Sequence, residues 1–225
     1  WTFFFGPPPG IGKGIVQALV DSGEFQGILI TYNSNREAAE TFSKQLQGDH
    51  PNLHIEIVGG DLTMAKTRDD IFQCFDTHFG NSADLCLMVH NAGQFAGVTS
   101  DNAQGLKPPA HSRKLFGDGS LLLPNDPPTN DSQVQWEYLD FYHQLYAKAY
   151  IDLCERSLVR MKQAHARYQE DGTGGNKYRG CLIGISSPGC NHNFRVTGGY
   201  DMPGSGKCVM EFANRYYALQ AAPFN

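Results

Sequence analysis

The sequence predicts an α/β protein built on a doubly wound parallel sheet with helices on both faces, and three observations predict it. Strand-length apolar runs alternate with segments of helical period through most of the 225 residues. The first run leads straight into a glycine turn and a helix. A further short strand, ending in two serines, opens the closing stretch ISSPGCNHNFRVTGGYDMPGSGK, which passes into KCVMEFANRYYALQAA at helical spacing.

In chain order, WTFFF is an aromatic strand followed by Gly6, Pro7 to Pro9, Gly10, Ile11 and Gly12, and then by the helical pattern KGIVQALVDSG. Glycine lets backbone approach a phosphate. The amides of Ile11 and Gly12, at a helix N-terminus, offer donors and the positive end of the dipole. Such a turn alone is also what a plain tight connection looks like. The strand QGILITYN and the helix REAAETFSKQL complete a βαβ unit; HIEIVGGDLT gives a third strand, TRDDIFQCFDTHFG a third helix and LCLMVHNAG a fourth strand.

At the end of the second strand an acidic residue would hold a ribose 2′-hydroxyl, but Tyr32, Asn33, Ser34, Asn35 and Arg36 stand there. The lack of a carboxylate favours NADP(H): Arg36 can meet a 2′-phosphate while Ser34 and Asn35 donate hydrogen bonds. The alternative for Arg36 is an exposed charge in the first turn of a helix. His90 reads as a strand-end histidine with a satisfied hydrogen bond.

From Gln94 to Gln135 the composition shifts to Gly, Pro, Asn, Asp and Ser. This excursion is long for a single compact domain of residues 1–225, and its apolar LFGDGSLLLP suits a lid or a subunit contact. A long amphipathic helix is expected from Asp131 to about Ala166. The loop DGTGGNKYRG returns the chain to the strand GCLIGI, and no helix follows its glycines to make a phosphate cradle.

Tyr200 and Lys207 are seven residues apart, nearly two helical turns, so an α-helix would return both to one face. A phenol that titrates near ~10 needs a cation beside it to exchange a proton at neutral pH, and a hydroxyl to orient the substrate oxygen. Ser187 or Ser186 supplies the hydroxyl. The alternative is a surface tyrosine and a solvated lysine.

Composition fits one globular domain, with 40% apolar residues and a net charge of −5 that argues against nucleic acid or an anionic membrane as partner. No apolar run reaches membrane-spanning length. The six cysteines form no C-x-x-C pair, and Cys86 and Cys181 fall in strands expected to be buried. Reduced thiols follow, in a reducing compartment such as the cytoplasm or an organelle matrix or stroma. No metal site is expected.

Together these motifs resemble the short-chain dehydrogenase/reductase family over nearly the whole chain, with its Rossmann-type sheet. Gly6, Gly10 and Gly12 match the family's cofactor glycines. Gly60-Asp61-Leu62 looks like its adenine-contacting turn, and Asn91-Ala92-Gly93 matches its NAG motif. Ser187, thirteen residues before Tyr200, is similar to its catalytic serine. The Y-x6-K spacing resembles the divergent branch that contains enoyl-acyl-carrier-protein reductases. The resemblance implies hydride transfer from NADP(H) to a carbonyl, enoyl or acyl-thioester substrate. Tyr200 would donate the proton and Lys207 would hold the nicotinamide ribose. It also implies homo-oligomers built through the Trp136 and Lys207 helices.

The chain departs from the pattern at Pro7 to Pro9, which remove three amide donors, at Phe5 in place of threonine, and at Tyr146, where the family carries an asparagine. The family's later strands are expected to be missing here. These departures leave a second reading, a catalytically impaired scaffold subunit of a larger assembly.

Overall fold

A computed structural model describes residues 2–5, 10–80, 84–93, 136–170, 180–187, 190 and 201–224. Its contacts divide the chain into one unit of residues 1–92, 149–185 and 214–225, and a second of residues 93–148 and 186–213. Gly6, the three prolines, the 94–135 excursion, the 171–179 loop and Tyr200 lie outside the described residues.

The first unit holds a five-stranded, wholly parallel sheet of β1 (Thr2–Phe5), β2 (Gly27–Tyr32), β3 (His54–Gly59), β4 (Leu87–His90) and β5 (Cys181–Gly184), in the order β3-β2-β1-β4-β5. The helices α1 (Ile11–Asp21), α2 (Arg36–Asp49), α3 (Ala65–His78) and α5 (Ala149–Glu170) connect and cover it. Successive side chains of a strand point to opposite faces. Ile28, Ile30, Leu87 and Val89 accordingly pack with Val16 and Val20 of α1 and with Phe42 and Leu46 of α2. On the other face His90 meets Tyr150 of α5 edge to face, ring centroids 5.6 Å apart. Such two-faced burial is why these strands read as continuous apolar runs.

Local signals explain the element ends. Asn35 caps α2, its side chain accepting from the Ala38 amide at 3.0 Å. Gly60, at φ +151, turns the chain out of β3; a Cβ there would stand 2.6 Å from Thr67 Oγ1, so no other residue fits.

Two expectations need correction. Cys181 is exposed and Cys86 only half-buried, because β5 carries alternating exposed and half-buried positions and Cys86 precedes β4. All six cysteines are free thiols, as expected. Among the described residues no helix is long and apolar enough to cross a membrane.

In the second unit, α4 (Trp136–Tyr142) runs into a π-helical stretch, His143–Lys148; α6 spans Asp201–Ala221, of which residues 201–213 belong to this unit and 214–221 to the first. Pro203 is tolerated because it falls in the first turn of α6, where amides have no intrahelical partner. The six-residue π stretch contains Tyr146. The helix is therefore distorted where the sequence comparison placed the missing asparagine, with a tyrosine in its stead.

Candidate functional site

The carboxyl end of the sheet carries the nucleotide-binding candidates of the first unit. β1 lies between β2 and β4, so the strand order reverses direction at its edge, the position where open α/β sheets take ligands. Gly10, at φ +137, precedes α1 and supplies no side-chain cap; the first turn holds no acidic residue. The Ile11 and Gly12 amides thus begin a helix whose N-terminal donors are not taken by a capping side chain. Ile11 is exposed and Gly12 buried.

At the end of β2, Arg36 donates from Nε to Glu40 Oε1 at 2.6 Å, and its side chain is 75% exposed. That hydrogen bond, with the Glu40 charge, holds the guanidinium pKa above its usual value and the carboxyl pKa below its own. Ser34 supplies a carbonyl that accepts from the Arg36 amide. An open groove of about 460 Å³ lies alongside, lined by Lys13, Asn35, Glu37, Ala38, Thr41, Phe42 and Gln45. Lys13 Nζ stands 5.2 Å from the Phe42 ring centroid. Lys13 is a second cation that motif reading passed over, hidden in an ordinary helical pattern.

After β3, Asp61 Oδ1 accepts from the Thr63 amide at 2.9 Å, so the carboxylate shapes its own turn. Leu62 is buried. Arg68 holds the same turn from α3: its Nη1 donates to the carbonyls of Leu62 at 2.6 Å and Thr63 at 3.1 Å, and its Nε to Asp152 Oδ2. Arg68 is buried, although TRDD reads as a solvated charge run. Its place beneath the turn could not be found without the fold. After β4 come Asn91 and Ala92, both half-buried; the His90 carbonyl accepts from the Ile185 amide.

In the second unit, Lys207 is 8% exposed, and its Nζ lies 4.9 Å from the Tyr146 ring centroid. Tyr146 stacks in turn on Tyr142, with centroids 6.0 Å apart and planes 13° apart. Burial lowers the lysine pKa against the opposing pull of Cys190, and the ring face is a favourable neighbour for the ammonium. α6 approaches closely because residue 206 is glycine: a Cβ there would stand 2.7 Å from the Tyr142 carbonyl oxygen. His143 Nε2 and Ser205 Oγ pair at 3.0 Å across the same contact. Ser186 donates to Glu211, one turn beyond Lys207, while the Ser187 carbonyl accepts from the Cys190 amide. Of the two serines, Ser186 is thus engaged by a carboxylate. Gly93 belongs to this unit and is exposed.

No family model matches the chain. An NADPH-dependent reductase of Bacillus subtilis (strain 168), BacG, is 29% identical over 102 residues, which cover 45% of this chain and 37% of that relative. The matched segment therefore spans well under half of the relative's length. Among solved structures, YwfH, an NADPH-dependent reductase involved in bacilysin biosynthesis, superposes with a TM-score of 0.68 at 20% identity, covering 99% of this chain and 67% of that one. L-sorbose reductase from Gluconobacter frateurii, solved with NADPH and L-sorbose, gives 0.65 at 16% identity over 100% of this chain and 65% of the other. LugOII, a promiscuous reductase that catalyses keto-reduction at C1 in lugdunomycin biosynthesis, gives 0.65 at 20% over 99% and 72%. The fold is that of these reductases. Structural likeness at such identity establishes the architecture, a Rossmann-type parallel sheet.

Proposed function

We propose that the chain is an NADPH-dependent reductase acting on a carbonyl group, with a conjugated enoyl thioester as the other substrate class its Y-x6-K spacing allows. The observation that carries this reading is the parallel order β3-β2-β1-β4-β5 with an uncapped glycine entry into α1 beside the strand-order reversal. The reductase names of the similar proteins support it, and the keto-reduction named for LugOII favours the carbonyl.

In this reading Gly6, Gly10, Ile11 and Gly12 take the pyrophosphate; Arg36, with Ser34, Asn35 and Lys13, takes the 2′-phosphate; and Asp61 and Leu62 frame the adenine. Asn91, Ala92 and Gly93 line the adjoining edge. Bound NADPH supplies the hydride. Tyr200 gives its proton to the developing oxyanion, Ser187 orients that oxygen, and Lys207 holds the ribose and favours the phenolate. Lys207 suits this work because it is buried, so that when protonated its charge acts on a neighbouring phenol with little screening by water.

Association into homo-oligomers is part of the proposal. α6 leaves Val209, Phe212, Tyr216 and Leu219 exposed at helical spacing, and α5 leaves Val159 exposed.

Fluorescence titration with NADPH and NADH tests the nucleotide site, and turnover of the Tyr200→Phe variant tests the proton donor. Binding of neither nucleotide would favour the scaffold reading.

A further inference from the structure

On β3, Ile55 and Ile57 turn to the core shared with α1 and α2, which puts His54 and Glu56 together on the opposite face. The last turn of α3 brings His78 to the same place. His54 Nε2 lies 2.8 Å and His78 Nδ1 3.2 Å from the same atom, Glu56 Oε1, and all three donors lie within 4.8 Å of one another.

We propose that His54, Glu56 and His78 form a binding site for a first-row divalent transition metal, zinc above all, that staples the end of α3 to the edge strand β3. Two imidazoles and one carboxylate select zinc, cobalt or nickel over magnesium or calcium, which prefer all-oxygen sites. Zinc bonds nitrogen and carboxylate oxygen at about 2.0–2.2 Å, so a tetrahedral site spaces its donors roughly 3.4 Å apart. The observed 2.8 and 3.2 Å separations fall short of that by about 0.6 and 0.2 Å. Small rotations of the two exposed imidazoles about the half-buried Glu56 suffice.

The ligands come from both sides of one crossover, and half of each imidazole side chain remains open to solvent, with relative exposures of 43% and 47%. A metal therefore has an entry path and room for water as its fourth ligand. β3 is a sheet edge, where tying the strand to a helix opposes fraying and pairing with other chains.

The test is calorimetric titration of the chain with zinc chloride, beside thermal melts. His78→Ala removes an exposed ligand and Glu56→Gln a half-buried one with its shape kept. Cys74→Ser controls for thiol binding, because Cys74 stands one turn before His78. The expected result is one equivalent bound by the unaltered chain and by Cys74→Ser, at least tenfold weaker binding in the two ligand variants, and a Tm rise of about 5–10 °C at 100 times Kd. No binding would overturn the proposal. So would binding unchanged in His78→Ala and Glu56→Gln, or lost in Cys74→Ser alone.

Discussion

Replacing Gly206 by alanine should damage the contact that seats Lys207, although the same replacement elsewhere in this chain should help it. An alanine Cβ at 206 would stand 2.7 Å from the Tyr142 carbonyl oxygen, 3.1 Å from its carbonyl carbon and 3.4 Å from Tyr146 Cβ. Two of these atoms are backbone, so they cannot swing aside. Overpacking of this kind costs about 1–3 kcal/mol, and the rigid partner places it near the top of that range. Alanine returns about 1 kcal/mol of helix propensity, which leaves a net loss of about 2 kcal/mol. For a chain of this size that lowers Tm by about 4–8 °C. At Gly14, inside α1, an added Cβ meets nothing within 4 Å. Gly14→Ala should therefore gain the full ~1 kcal/mol and raise Tm by about 2–4 °C. Paired thermal melts read both signs in one experiment. If Gly206→Ala melts at or above the unaltered chain, the close approach of α6 is wrong, and so is the position assigned to Lys207.

Four further outcomes are expected. Lys207→Met should hold or raise Tm at neutral pH while turnover falls about 100-fold or more. Because burial lowers the native pKa of Lys207, the unfolded state binds its proton more tightly, so this lysine costs stability as pH falls through its native pKa; pH-dependent melts check that this slope disappears in the variant. Arg68→Met should cost about 2–3 kcal/mol in denaturant unfolding, since it strands the Asp152 carboxylate and two turn carbonyls. Arg36→Ala should weaken NADPH about tenfold and leave NADH unchanged, while Glu40→Gln should tighten NADPH by freeing the guanidinium; both are read by titration. Tyr200→Phe should lose about 10²–10⁴ in kcat with nucleotide affinity intact, a split that single-turnover assays resolve.

β2 and β4 were legible in the sequence because parallel strands buried on both faces leave uninterrupted apolar runs, and the turns were legible because glycines such as Gly10 and Gly60 mark places that demand positive φ. Interactions spanning distant parts of the chain were not legible. Arg68 sits 84 residues from Asp152, and nothing local distinguishes it from the solvated charges around it. The exposure of Cys181 escaped for the opposite reason: a short apolar strand looks the same whether or not both its faces are covered. The π-helical stretch around Tyr146 was also hidden, since local backbone widening has no simple residue signature. The site reading rests most on motif spacing, because Tyr200 and Gly6 lie outside the described residues.

Titration of the purified chain with NADPH and NADH at one fixed salt concentration tests the central claim most directly. Saturable NADPH binding, clearly tighter than NADH and weakened in Arg36→Ala, is the expected result. Failure to bind either nucleotide would contradict the reductase account and leave a parallel-sheet scaffold in its place.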